Sequence, residues 1–320
     1  VLLTNENYLN NLSAMKIITF DELKDPYQFL RVMEASFGWS PTRQRVAKIR
    51  KQDERYKYPY GFCMMKGETL VGFVGVIDIP AKTIDEGFEK IGGIHAVATY
   101  PAFNRQGVAN SLMKHAHKHF KKLGYRFSFL CTAKSLVAHS LYEKLGYSDI
   151  PILDKLPRAY KFYPEKKQRQ SKRKRKQKLD MKQIKNIYER ATQNKTGFAI
   201  RIKNWVKVVT DARRIKPEDI ILEKDGYAFT TISGEALWIL EFVADNSKTY
   251  LKIIDKLKKK GKPVLIDAYV HDPTLFKIYQ QKGFRFRYGT YSSLMVKPLT
   301  NISFQKAFGD RFYYSPLDGF

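Results

Sequence analysis

The stretch IGGIHAVATYPAFNRQGVANSLMKHAHKHFKKLGYRFSFLCTAKSLVAHSLYEKLGY, from Ile91 to Tyr147, decides how this chain is read. It opens on an extended apolar run, Ile91 to Thr99. It then turns through Tyr100-Pro101 to Asn104-Arg105-Gln106-Gly107-Val108-Ala109, where a helix begins. Within that helix Val108, Leu112, Ala116, Phe120 and Leu123 recur at helical spacing, while Lys114, Lys118, Lys121 and Lys122 lie off the stripe. Gly124 is a natural stop. FSFLCT from Phe127 reads as a second buried strand, and Ala138, Leu141, Tyr142 and Leu145 mark a second helix that ends at Gly146.

The chemistry of the stretch sits at the first turn of the first helix. A helix N-terminus presents unpaired N–H groups and the positive end of its dipole, so it holds a phosphate without side chains. Gly107 leaves room for the approach, Arg105 offers a charge-assisted bond, and the small Ala109 lets the turn sit close to a bulky ligand. A single glycine in a turn carries little weight. The order strand, Pro, Arg-x-Gly-x-Ala, amphipathic helix, buried strand and helix carries more.

Working outward, MKIITFDEL from Met15 predicts a strand followed by a helix toward Phe37. GFCMMKGETLVGFVGVIDIP, Gly61 to Pro80, reads as a β-hairpin turning at Lys66-Gly67-Glu68. Beyond the middle of the chain the plan recurs in weaker form. DGYAFTTISGEALWILEFVAD from Asp225 resembles a hairpin with a central strand, followed by a Lys-rich helix from Thr249 to Lys260 and the strand PVLIDAYV. Tyr279-Gln280-Gln281-Lys282-Gly283-Phe284 then parallels Tyr142-Glu143-Lys144-Leu145-Gly146-Tyr147. No Arg-x-Gly-x-Ala stands at the corresponding turn, and Asp245-Asn246-Ser247 places a carboxylate there, so residues 222–297 read as a degenerate repeat. An unrelated α+β domain with a chance ending is the alternative.

At this point residues 91–147 resemble the GNAT superfamily of acyl-CoA-dependent N-acetyltransferases, whose pyrophosphate loop runs Gln/Arg-x-x-Gly-x-Gly/Ala. Asn104 to Ala109 match it except at Asn104, and Ser135-Leu136-Val137-Ala138-His139-Ser140-Leu141-Tyr142 keeps all but the Asn of the family's Asn-x-x-Ala-x-x-Leu-Tyr. The resemblance implies an α/β (α+β) fold: two tandem GNAT-like domains, each a mixed central sheet flanked by helices, the second repeat degenerate. It implies acetyl-CoA as cosubstrate and transfer of an acetyl group to a primary amine. Val97, Ala98 and Thr99 would meet the pantetheine arm, Arg105, Gln106, Gly107, Val108, Ala109 and Asn110 would surround the pyrophosphate, and Ser135 could hydrogen-bond in place of the Asn. Tyr142 would protonate or polarise the departing thiolate. Its helical face also suits a core aromatic, and a packed ring with a hydroxyl in the cleft satisfies both. The tandem layout is loosely similar to acetyltransferases of the enhanced-intracellular-survival type, without room for their third domain.

A cationic amine must lose a proton before it attacks. His95 is the candidate base, with a structural histidine as the bland reading and Asp78 and Glu86 as further candidates. HAHKH invites a metal reading, but only His115 and His119 share a helical face, so no metal is expected. Cys131, in a buried strand, reads as an inert thiol.

Composition bounds the rest. The chain has 320 residues, 43% hydrophobic, with 19 Gly and 13 Pro, which excludes a low-complexity or collagen-like chain and suits two domains. Two cysteines, apolar runs too short to span a membrane and a start without a basic leader point to a soluble, cytoplasmic protein. The net charge is +27, and the run KKQRQSKRKRKQK from Lys166 to Lys178 concentrates it between the halves. This gives the expected division: 1–163 catalytic, 164–198 basic linker and helix, 199–320 degenerate repeat. The basic run could tether nucleic acid or another polyanion, or be a solvated linker. A polyanion-binding protein that keeps the fold as a scaffold is the alternative function. The chain end from Tyr314 to Phe320 is expected near the first site.

Overall fold

The computed structural model describes residues 15–56, 58–164, 179–289 and 292–319. The first half runs β1 (Met15–Thr19), α1 (Tyr27–Phe37), α2 (Arg43–Gln52), β2 (Gly61–Lys66), β3 (Thr69–Lys82), β4 (Phe88–Thr99), α3 (Val108–Lys122), β5 (Phe127–Ala133), α4 (Val137–Lys144), β6 (Ser148–Asp149), α5 (Pro151–Asp154) and β7 (Arg158–Phe162). The second runs α6 (Met181–Ala191), β8 (Thr196–Gly197), α7 (Trp205–Arg213), β9 (Ile220–Glu223), β10 (Gly226–Ser233), β11 (Ala236–Ala244), α8 (Ser247–Lys258), β12 (Val264–Asp267), α9 (Pro273–Gln281), β13 (Arg285–Arg287), β14 (Ser292–Pro298), α10 (Phe304–Phe308) and β15 (Phe312–Tyr313).

Two sheets result, with the same internal logic. In the first, β1, β2, β3 and β4 pair antiparallel in order, β4 pairs parallel with β5, and β14 lies between β5 and β6. In the second, β9, β10 and β11 are antiparallel, β11 pairs parallel with β12, and β7 lies between β12 and β13. The antiparallel run and the parallel pair with its crossover helix therefore occur twice. The repeat expected from Asp225 onward is a repeat of architecture as well as of sequence.

One feature departs from the sequence expectation. The strand that completes each sheet comes from the other half: β7, before residue 163, belongs to the second sheet, and β14 belongs to the first. The boundaries at 163/164 and 198/199 thus do not divide the sheets, and the reading of 222–297 as one unit included a strand of its neighbour. Both strands are short, and β14 buries the continuous run Ser293 to Val296. A strand-like segment says nothing of which edge it will join, because partner and register are set by tertiary packing.

Three apolar layers position the first sheet. Val108, Leu112, Met113, Ala116 and Phe120 of α3 are buried against Val71, Val74, Ile94 and Leu130 on one face, with Tyr142 and Leu145 of α4. Each such side chain contributes about 1.5–3 kcal/mol of burial. On the opposite face lie Phe29, Val32 and Met33 of α1 with Phe73 and Ala98. Further along that face Ile77, Ile91, Phe127 and Phe129 pack against Phe308, Phe312 and Tyr314 from the end of the chain. The second sheet is covered by α8 and α9 on one side, and by α6 and α7 with Tyr313 and Leu317 on the other. Residues Lys166 to Lys178 lie outside the described residues, as does Phe320.

Candidate active site

The site begins where β4 and β5 part. Their parallel pairing covers Gly92↔Ser128, Gly93↔Phe129 and Ile94↔Leu130 and goes no further, although β4 continues to Thr99 and β5 to Ala133. The cause lies in β4. Between Phe73↔Ala98 and Gly75↔His95 the ladder with β3 slips, and Ala96 takes a left-handed backbone with φ +50°. A bulge bends and twists its strand and so re-aims the side chains beyond it. Val97 then packs toward the α3 layer, whereas Ala98 faces α1. Thr99, whose carbonyl accepts the Ser36 hydroxyl at 3.2 Å, is the last residue of the strand.

The helix that follows has an open N-terminus. Gly107 is the N-cap of α3, with φ +78°, a backbone that L side chains adopt only at a cost. It supplies no side chain to cap the first turn. Val108 is buried, Ala109 and Asn110 are half-buried, and Arg105 is exposed with φ +61°. The Gln106 amide bonds back to the Ala102 carbonyl at 3.0 Å, so it braces the loop. The first-turn N–H groups therefore stay available to an anion. Ser135, in the turn between β5 and α4, is exposed.

Tyr142 lies on the same side of the sheet as this cradle. Its ring is buried beside Tyr147, with centroids 6.1 Å apart, and its hydroxyl makes no hydrogen bond among the described residues. Burial pushes its pKa up to about 12, so the proton stays on at neutral pH.

The other side of the split is lined differently. Ile94 and Leu130 point toward α3, so the next residues on each strand, His95 and Cys131, point away from it. The His95 ring lies over Gly75, where an added Cβ would stand 2.2 Å from Cε1, and edge-on to Tyr56 and Tyr60 at 5.3 and 5.6 Å. Its Nε2 is buried and has no hydrogen-bond partner among the described residues. Burial lowers its pKa to about 4, with Arg55 adding to the effect, so the ring is neutral at pH 7. The Tyr314 hydroxyl, from the end of the chain, lies 3.5 Å from the Cys131 sulfur.

Asp78 and Glu86, the further base candidates, lie elsewhere. Asp78 is tied through its backbone to Arg55, and Glu86 pairs with Lys82 on the surface. Of the three histidines on α3, His117 is buried and bonded through Nε2 to the Tyr147 hydroxyl at 2.8 Å, while His115 and His119 pack against Phe62 at 4.6 and 5.4 Å. Among the described residues no three His, Cys, Asp or Glu side chains are gathered as metal ligands.

This split-strand and open-helix arrangement is the one on which comparison with known proteins bears. Residues 20–147 match the model of the acetyltransferase (GNAT) family. The similarity to that family lies in the first half of the chain. Solved structures agree on the fold across both halves. A GCN5-related N-acetyltransferase from Anabaena variabilis has a TM-score of 0.61 at 13% identity, covering 89% of this chain and 73% of its own. Another, from Kribbella flavida, has a TM-score of 0.56 at 16% identity over 89% and 72%. Eis1 from Mycobacterium abscessus, with a TM-score of 0.57 at 12% identity, covers 89% and 73%. No curated protein sequence matches the chain. Among the described residues no helix is long and apolar enough to cross a membrane.

The sequence reading missed three features. The bulge at Ala96 leaves no compositional signal. The exchange of β7 and β14 is invisible to periodicity. The buried side chains of Arg201, Glu241 and Asp318, described below, are ordinary charged residues until the fold brings them together.

Proposed function

We propose that the first half moves an acetyl group from acetyl-CoA directly to a primary amine, and that the second half does no chemistry of its own. Acetyl-CoA would bind where an uncapped helix N-terminus stands beside two strands that separate after three residue pairs. The cosubstrate supplies the activated thioester. Gly107 to Asn110 would meet the pyrophosphate with backbone N–H groups and Arg105 with charge, while Val97 to Thr99 would bond the pantetheine arm from the open edge of β4. Ser135 would brace the turn before α4.

The single observation that carries the reading is the placement of Tyr142 and His95 on opposite sides of that split. An amine arriving from the His95 side attacks the thioester carbonyl; the C–N bond forms and the C–S bond breaks. The amine arrives neutral, and the proton released as the C–N bond forms is relayed through His95 Nε2 to water, since burial keeps that ring from holding it at pH 7. The departing thiolate accepts a hydrogen bond from the Tyr142 hydroxyl, whose proton is held too tightly for full transfer. In this reading the first sheet, with β14 lent by the second half, would carry the catalysis, and the chain end packed on it would wall the acceptor side.

The test is a screen of amine pools, including proteins, polyamines and aminoglycosides, for an acetyl-CoA-dependent mass gain of one acetyl group. Wild-type protein should give it and Gly107→Asp should not. A protein that binds acetyl-CoA yet acetylates no amine in any pool would overturn the reading.

A further inference from the structure

The Arg201 guanidinium, in the segment between β8 and α7, is enclosed by charge and by rings. It donates from Nη1 to Glu241 Oε1 at 2.9 Å and from Nη2 to Oε2 at 2.5 Å. Nε and Nη2 also reach Asp318 Oδ1 at 3.1 and 2.8 Å. Tyr188 and Trp205 sandwich it, their centroids 3.7 and 3.4 Å from Cζ. Glu241 accepts a further bond from the Tyr227 hydroxyl at 2.7 Å, and the second oxygen of Asp318 accepts the Ser315 N–H at 2.9 Å. The three charged side chains are 6%, 0% and 5% exposed. Burying such a triad is expensive, and packed apolar residues would give comparable stability. What it supplies is one fixed geometry.

That geometry holds two segments. Asp318 anchors the last described turn of the chain, and four residues earlier Tyr314 lies against Cys131, its ring also meeting Phe198 and Tyr269 edge-on at 5.8 and 6.0 Å. On the other flank Arg55 lines the same small cavity as Arg201 and Asp318 and is itself bonded to Asp53 at 2.8 and 2.9 Å. The residue after Arg55 is Tyr56, whose ring meets His95. Cys131 and His95 are the first residues past the last β4–β5 pair, on the face away from α3. One line of alternating charges, Glu241, Arg201, Asp318, Arg55 and Asp53, thus ends in two tyrosines beside the parting strands.

We propose that Arg201 is a positioning residue for the acceptor side of the first site: from the second half it holds Tyr314 over Cys131 and, through Asp318 and Arg55, Tyr56 over His95. The inference rests on the acetyl-transfer reading for what enters that side. Its geometry can be tested without it.

The test is the rate at which Cys131 reacts with a maleimide in the full chain. Cys63 serves as internal control, since it is buried and its thiol is pushed up to about 12. Arg201→Lys keeps the charge but not the fork, and Asp318→Asn keeps the shape but not the charge. Each should raise Cys131 labelling about tenfold, one factor of ten in the local closure equilibrium, with Cys63 still unreactive. Acetyl-CoA affinity by calorimetry should stay within about twofold, because the cradle lies on the other face. With an acceptor in hand, its KM should rise while that of acetyl-CoA does not. Unchanged Cys131 labelling in both variants, with only a lowered melting midpoint, would reduce the triad to a packing element and overturn the proposal. Absence of any turnover would fail the acetyl-transfer reading and leave the labelling result to judge the positioning.

Discussion

The two repeats use the same scaffold and dispose of its hydrogen-bonding capacity in opposite ways. In the first, Tyr142 keeps its hydroxyl without a partner among the described residues, and α3 begins at Gly107 with no side-chain cap. In the second, the corresponding Tyr279 is fully buried and donates to Asp267 at 2.9 Å, and the Asn246 side chain caps α8 by accepting the Thr249 N–H at 2.9 Å. Asp245, beside that cap, is spent on Arg190 at 2.6 Å. The ladders differ at the same point. The residue following the last parallel pair is His95 in the first half. In the second it is the bulged Leu240, and the carboxylate one place on, Glu241, is locked to Arg201. Groups that a ligand could use in one half are consumed internally in the other. On the proposed function, satisfying its own polar atoms is what leaves the second repeat a structural role.

The largest effect that would break this comparison concerns the two helix N-termini. Gly107→Asp adds bulk, like charge and a strained φ at the proposed pyrophosphate contact, so acetyl-CoA affinity should fall at least ~10²-fold with circular dichroism unchanged. A titration giving two acetyl-CoA per chain, with one site surviving the substitution, would show that α8 also binds.

The paired tyrosines come next. Tyr142→Phe should lower kcat by something like ~10²-fold while leaving acetyl-CoA affinity intact. Tyr279→Phe should leave kcat unchanged and lower stability instead, by about 1–3 kcal/mol, since it strips a donor from a buried carboxyl. Equal kcat in wild type and Tyr142→Phe would make both tyrosines packing residues.

Asp267 sharpens the comparison through pH. Burial raises its pKa to about 7 from the usual 3.8, against the bonds from Tyr279 and the Tyr269 backbone. The folded protein therefore holds this proton more tightly than the unfolded chain. Its stabilising contribution is complete below pH 3.8 and is lost as pH rises toward 7. Asp267→Asn, which cannot ionise, should melt above wild type at pH 8, with the gap closing by about pH 4. A gap that does not change with pH would mean the carboxyl is ionised throughout.

The smallest effect is expected at the cap. Asn246→Ala should cost about 1 kcal/mol of stability, as cap removals do. It should not create acetyl-CoA binding, because Asp245 would remain beside the helix end.

How much of this was legible in the sequence follows from the range of the forces involved. The strand from Ile91, the helix from Val108 and the stop at Gly124 depend on local spacing, and all three stand close to their expected places. The pairing of Tyr142 with Tyr279 was legible as well, since both precede a Gly-containing turn. The different fates of their hydroxyls were not. They depend on Asp267, which in PVLIDAYV looks like any strand-end carboxylate. His95 was visible as a candidate, but its neutral state comes from burial under Tyr56 and Tyr60, segments remote in sequence. Arg201 passed unnoticed because Glu241 and Asp318, its counter-charges, stand 40 and 117 positions away.

The exchange of β7 and β14 governs how this molecule must be made. While the ribosome has released only the first 163 residues, β5 and β6 lack the strand that separates them, and β7 has nothing to pair with. Neither sheet can close until its last strand, β13 or β14, has emerged, so the two halves fold as one late, long-range event, slow by topology. Until then the open edges of β5 and β7 are sites for mispairing, including with a second nascent copy. Cutting the gene between the repeats would yield two fragments, each carrying a strand its partner needs. They should be soluble together and prone to aggregate apart.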